Sequence, residues 1–181
     1  ADDEDITLQS IAVSKGKDNV QSIYAKPLSE YVSSLVEQDH FLDLSTYSGD
    51  TLDINELRSN PKMVTELINK NKSDGLLHLQ ITKGPMGLFL EMGLFTKKSG
   101  LIWAYAESLM KDKLDIESVK ATMALLHSQI MSQIPYQGLI LSRSGRRVTI
   151  NRGSLSNIKL DQDIDVIQVI GVKRHPQFQF I

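Results

Sequence analysis

Three consecutive segments, residues 75–83, 87–97 and 101–109, constrain this chain more than any other feature. Each is long and rich in strand-forming residues, and each is bounded by turn residues. Gly84-Pro85 separates the first two, and Lys97-Lys98-Ser99-Gly100 separates the last two. A polar, glycine-containing break between such runs is a hairpin signal, so the three are predicted to lie antiparallel in one sheet. A sheet with this much apolar surface needs cover. From Asp115 to Gln133 the period changes: Ile116, Val119, Met123, Leu126 and Ile130 recur at three- and four-residue spacing, predicting a helix capped by Asp115 with one buried face.

Further strands and helices precede the meander. Ile6, Leu8, Ile11 and Val13 predict a short strand that ends in the turn-rich Ser14-Lys15-Gly16-Lys17-Asp18-Asn19. Val20, Ile23, Tyr24, Leu28, Tyr31, Val32 and Leu35 then form a helical stripe, with Pro27 predicting a kink or a helix that begins near it. Phe41, Leu42 and Leu44 read as a second strand. Asn60 caps a further helix with Pro61 at its first position and Met63, Val64, Leu67 and Ile68 on its apolar side. The order predicts, for residues 1–133, an α/β fold with a mixed sheet covered by helices.

After Pro135 the texture changes. Residues 138–142, 148–151 and 164–172 are short β-branched segments with glycine at the corners, which predicts a small all-β, barrel-like module over residues 134–181. Phe178, Phe180 and Ile181 alternate with Gln177 and Gln179, predicting a strand at the end and a barrel left incomplete there. Charge divides at the same place. Residues 134–181 carry seven basic and three acidic side chains, +4, which leaves -6 for residues 1–133 of a chain whose net charge is -2.

Composition removes several function classes. With no cysteine among 181 residues, disulfides, thiol nucleophiles and thiolate metal sites are excluded. No apolar run reaches the roughly 18 residues that a membrane-spanning helix needs. The acidic start Ala1-Asp2-Asp3-Glu4-Asp5, with no initiator methionine, reads as a chain cut after a signal peptide or as an engineered start, with processing and export favoured.

Two sets of residues carry a resemblance. The run 28–36, then Phe41-Leu42-Asp43-Leu44, then Ser73-Asp74-Gly75-Leu76-Leu77 resembles the TolB amino-terminal-like α/β domain. That domain is shared by curli secretion lipoproteins, outer-membrane activators of penicillin-binding proteins and flagellar assembly protein T. The segment Ile134-Pro135-Tyr136-Gln137-Gly138-Leu139-Ile140, with Val148-Thr149-Ile150-Asn151-Arg152-Gly153-Ser154 and residues 158–163, is similar to the carboxy-terminal barrel of flagellar assembly protein T. Asp161 and Gln162 stand where that barrel has a glycine-containing turn. The resemblance implies a periplasmic or outer-membrane-associated location, envelope or flagellar protein partners, and assembly as a homo-oligomer or ring.

Chemistry-bearing residues do not converge on a catalytic pattern. His40, His78, His127 and His175 fall on separate predicted elements without His-x-x-x-His spacing, so no metal site is expected. Asp161, Asp163 and Asp165 alternate but lack calcium-loop spacing and read as a solvated turn. Lys83-Gly84-Pro85-Met86-Gly87 lacks the ending of a phosphate loop and reads as a turn; Ser142-Arg143-Ser144-Gly145 has no adjacent base to activate a serine. No cofactor is expected.

Arg143, Arg146 and Arg147 form a basic hairpin tip suited to a protein partner or to phosphate. Residues 137–176 contain no Phe, Tyr or Trp to stack on bases, so nucleic acid is not the expected partner. Trp103 and Tyr105 are predicted to share one strand face, with Ala104 and Ala106 on the other, and serve either as core under a helix or as an aromatic anchor at an interface. The leading expectation is therefore a non-enzymatic, exported interaction protein of the bacterial envelope that resembles a flagellar basal-body ring assembly protein. The competing readings are a nucleic-acid-binding protein using residues 143–147, and an enzyme whose site no local motif reveals.

Overall fold

The structure, a computed structural model, describes residues 8–39, 42–134, 140–150, 173–174 and 179–180. The chain divides into two units, Ala1–Gly138 and Leu139–Ile181. The first runs β1 (Ser10–Val13), β2 (Lys17–Asp18), α1 (Ala25–Glu37), β3 (Asp43–Ser45), α2 (Ile54–Ser59), α3 (Pro61–Lys70), β4 (Gly75–Gly84), β5 (Gly87–Thr96), β6 (Ile102–Met110) and α4 (Ile116–Met131).

The strands form one six-stranded mixed sheet, ordered β3-β1-β4-β5-β6, with β2 continuing beside β4 where β1 stops. β1 pairs in parallel with β3 and β4, whereas β4, β5 and β6 form the expected antiparallel meander. Strand alternation divides the core in two. Ile11, Val13, Leu77, Leu79, Ile81, Leu88, Leu90, Met92 and Leu94 pack under α1 and α4, while Ala12, Leu76 and Phe95 pack under α2 and α3. Val119, Met123, Leu126 and Ile130 are the buried side of α4, and Asp115 caps it by accepting from Ser118 N at 3.0 Å, so the predicted helical phase matches the structure.

Two local readings are corrected, and of the two outcomes offered for the stripe from Val20 the structure takes the helix that begins near Pro27. Gln21 and Ser22 adopt φ of 58° and 61°, which breaks the helical path, and α1 starts only at Ala25 with Pro27 in its first turn, where a missing N–H is tolerated. The segment read as turn contains β2, because Lys17 and Asp18 pair in parallel with Gln80 and Ile81. The short helix α2 went unseen because its six residues offer no repeat of period; Asp53 caps it through Asn55 N at 2.9 Å.

Glycines in the turns are required by geometry. Gly100, at φ +67°, sits so close to α3 that a Cβ there would meet the Pro61 carbonyl oxygen at 2.0 Å; Gly87, at φ +132°, would meet that of Met110 at 2.1 Å.

In the second unit, β7 (Ile140–Ser144) and β8 (Arg147–Ile150) form an antiparallel hairpin turning at Gly145-Arg146, and β9 (Lys173–Arg174) pairs with β10 (Gln179–Phe180). Among the described residues of this unit these are two separate pairs, with no closed barrel. Strand 164–172, the Asp161-Asp163-Asp165 series, Pro135, Ile6, Phe41, His40, His175, Phe178 and Ile181 lie outside the described residues.

Candidate functional site

In open α/β sheets, ligand crevices form beyond the carboxyl ends of parallel strands, where successive connections leave on opposite faces. Here α1 crosses one face between β1 and β3, and α2 and α3 cross the other between β3 and β4, so β1 marks that point. A cleft of about 460 Å³ lies there, between the loop after β1, the side of α1 and the loop after β3. It is rich in hydroxyls, and three of them direct their protons to acceptors of the chain itself. Ser29 Oγ donates to Lys26 O at 2.9 Å, Ser33 Oγ to Ser29 O at 2.8 Å, and Tyr47 OH to Asp50 O at 2.8 Å. Burial, with Asp50 nearby, pushes the Tyr47 phenol up to about 12.

The amino end of α1 is occupied from within. Asp18 Oδ1 accepts from Val20 N at 3.0 Å and Ser22 N at 2.7 Å, and its Oδ2 accepts from Tyr24 N at 3.0 Å and Ala25 N at 2.7 Å. Partial burial raises the carboxyl's pKa, but these four backbone donors outweigh it and hold Asp18 below the ordinary carboxylate range. A site that elsewhere receives an external anion is here filled by a side chain.

At the floor, Ser14 Oγ and His78 Nδ1 are 2.7 Å apart, and Ser14 Oγ also accepts from Gly16 N at 3.3 Å. His78 is 1% exposed, and among the described residues its Nε2 has no hydrogen-bond partner. Burial drives its pKa down to about 4, against an opposing pull from Asp53 and with a smaller push from Lys17, which themselves pair at 3.3 Å. With Ser14 4% exposed, the pair forms a buried polar bridge from the residue after β1 to β4. His127 is buried beside Leu126 on α4, and burial lowers its pKa also. Among the described residues no group of three or more His, Cys, Asp or Glu is placed to hold a metal ion.

The aromatic pair on β6 lies differently from the sequence expectation. Leu94 pairs with Ala104 but Phe95 with Ile102, so Trp103 is an extra residue in a bulge. The bulge shifts the phase by one: Trp103 packs half-buried against the core under α1 and α4, whereas Tyr105 packs against the core under α2 and α3. The two do not form a common anchor.

Tyr105 instead organises a polar cluster. Gln80, Glu91 and Glu107 stand in register across β4, β5 and β6. Gln80 Oε1 accepts from Ile54 N at 2.8 Å, and Glu91, at 9% exposure, lies beside it. Tyr105 Oη is 2.7 Å from Glu91 Oε1 and 2.6 Å from Glu107 Oε2, while the Arg58 guanidinium lies 4.3 Å over the ring. Burial first, and then the two carboxylates, hold the Tyr105 phenol well above its ordinary range against the pull of Arg58. Sequence reasoning missed Glu91 and Glu107, although a charge inside the otherwise apolar run 88–95 was a visible signal.

In the second unit the side chains of residues 142–149 are exposed, Arg143, Arg146 and Arg147 among them. Arg143 Nε donates to Gly145 O at 3.1 Å, which ties one arginine to its own turn.

No protein-family model matches the chain, and no curated protein sequence matches it. Among solved structures the chain is similar to TolB from Acinetobacter baumannii, at 13% identity and a TM-score of 0.48 over 72% of this chain and 30% of that one, so it spans under a third of TolB's length. It is similar to the LpoB C-terminal domain from Escherichia coli, at 10% identity and a TM-score of 0.42 over 61% of this chain and 87% of that one. A third similarity is to a PelC dodecamer from Paraburkholderia phytofirmans, at 12% identity and a TM-score of 0.44 over 68% of this chain and 89% of that one.

Proposed function

We propose that this chain is a non-enzymatic interaction protein, exported to the bacterial envelope, that works by presenting strand edges and charged tips to protein partners. The observation that carries this reading is β6. It is a nine-residue strand at the end of the sheet order, with the Arg58-Tyr105-Glu91-Glu107 cluster on its flank, and among the described residues no further strand pairs with it. The polar groups elsewhere that resemble catalytic or anion-binding parts are engaged internally, as Asp18 and the Ser14–His78 pair are.

Export and an envelope role are supported by the TolB-like residues of the first unit, the run 28–36 with residues 41–44 and 73–77. The finer reading, a flagellar basal-body ring assembly protein with a barrel-like second module, is supported by the sequence motifs around Gly138 and Gly153. The test is site-specific photo-crosslinking from Leu109 on the outer part of β6 in the producing bacterium, followed by fractionation. Adducts with envelope proteins in the periplasmic or membrane fraction are expected. Cytoplasmic fractionation, or adducts with nucleic acid from Arg146 and none with protein from Leu109, would overturn the reading.

A further inference from the structure

Resting on that interaction reading, we infer that the β6 edge receives the arginine hairpin β7–β8 of a second copy of this chain, so that copies associate head to tail. The two edges of the sheet differ in how open they are. β3 has three residues, which offers little to pair with, whereas β6 has nine, among them no Lys, Arg or Pro, and Glu107 is its one charge. Edge strands are normally blunted by shortness, by proline or by several charges. The bulge at Trp103 blunts only the first part, leaving Ala104–Met110.

The cluster beside this edge is short of positive charge. Glu91 and Glu107 are directly opposite on neighbouring strands, an unfavourable like-charge pair. Tyr105 has one proton to give and two carboxylates within reach, so one of them is left without that donor. Arg58 lies over the ring, and among the described residues neither carboxylate has a salt-bridge partner. A basic group delivered along the edge supplies what is missing.

A second copy pairing β6 against β6 brings the same two carboxylates with its one arginine, Arg58, already over its own Tyr105 ring, and so adds no basic group in excess. The hairpin does deliver it. Residues 142–149 carry Arg143, Arg146 and Arg147 with no acidic side chain, all exposed, and Val148 adds 49%-exposed apolar surface. Added antiparallel to Ala104–Met110, the hairpin continues the sheet, with backbone pairing for affinity and arginine against Glu107 for register. The two surfaces are different parts of one chain, so the contact is heterologous, and repetition closes a ring or extends a filament. A contact this narrow is small beside the roughly 1,200 Å² of a stable interface, so pairwise affinity is low and assembly depends on concentration.

The experiment is sedimentation velocity across a concentration series on the full chain. Wild type is expected to form species larger than a dimer. Glu107→Lys alone and Arg146→Glu with Arg147→Glu each weaken association by about tenfold or more, since like charges then meet. A mixture of these two variants assembles again by alternation, because the unchanged hairpin of the first meets the unchanged edge of the second and the reversed hairpin of the second meets the reversed edge of the first; one chain carrying all three changes assembles again for the same reason. Glu107→Gln, which adds no new charge, gives an intermediate loss, and thermal melts of every variant separate lost association from lost folding. Wild type that stays monomeric at all concentrations, or a mixture of variants that fails to pair, overturns the inference. If the chain stays monomeric while Leu109 still crosslinks to other envelope proteins, self-docking falls and the interaction reading stands; if both fail, both fall.

Discussion

Lowering the pH from 7 to 4 should remove about 3 kcal/mol of stability through His78 alone. The ring is almost wholly buried, and its folded pKa is held to about 4 against an ordinary 6.5. A folded pKa below the unfolded one means that the unfolded chain takes up the proton first. The sign follows: the contribution is fully present above about pH 6.5, falls as pH drops through the window, and levels off near 4. The difference of about 2.5 pH units, at about 1.4 kcal/mol per unit, gives the magnitude. The structural cause is specific, since protonation places a charge between β1 and β4 where Nδ1 already faces Ser14 Oγ at 2.7 Å and Nε2 has no partner among the described residues.

His78→Asn is the control, because its amide reaches the position of Nδ1 without titrating. Urea unfolding of both proteins at a series of pH values yields two stability curves. Any cost of the substitution at neutral pH shifts one curve bodily, so only the slopes matter. Wild type should fall more steeply between pH 6.5 and 4, by no more than about 1.4 kcal/mol per pH unit from this group. His127 titrates in the same direction in both proteins and cancels. Parallel curves would refute the reasoning and mean that water or a rearranged partner solvates the ring.

Three further outcomes are expected. Leu126→Ala, on the buried face of α4, should cost about 2–5 kcal/mol in chemical unfolding, whereas Lys120→Ala, which loses an exposed 3.1 Å pair with Glu117, should cost under about 1 kcal/mol. Asp18→Asn should destabilise by about 1–3 kcal/mol at pH 7, and because the folded carboxyl's pKa is lowered, the gap to wild type should close as pH falls below the ordinary carboxylate range. Fluorescence titration should detect no binding of single- or double-stranded DNA or RNA at physiological salt; affinity with a log–log salt slope of about -2 to -3, lost in Arg146→Glu with Arg147→Glu, would instead support the nucleic-acid reading.

The parts of the fold that were legible in the sequence are those in which one periodicity runs long enough to be counted. α4 repeats over four turns and the meander alternates over three strands, so both emerge from apolar spacing alone. The parts that were not legible depend on partners distant in sequence. Asp18 reads as one more turn residue until its carboxylate is seen to accept from Ala25 N, an interaction that fixes the helix start there and leaves Val20 and Ile23 of the apolar stripe outside it. β2 exists only because Gln80 and Ile81 lie beside it.

The candidate interface was half visible for a related reason. Arg143, Arg146 and Arg147 are neighbours in sequence, so their clustering could be read directly. The acceptor side combines Arg58 from α2, Glu91 from β5 and Tyr105 and Glu107 from β6, and only strand register brings them together. A single bulge residue then decides which aromatic joins them, since inserting Trp103 into β6 turns Tyr105 toward the carboxylates and Trp103 toward the other core. Alternation counted from the sequence assumes one residue per register step, and it fails at any strand that breaks this rule. Sheet edges are where bulges collect, so the strand best placed to meet a partner is the one whose facing residues sequence alternation reads least well.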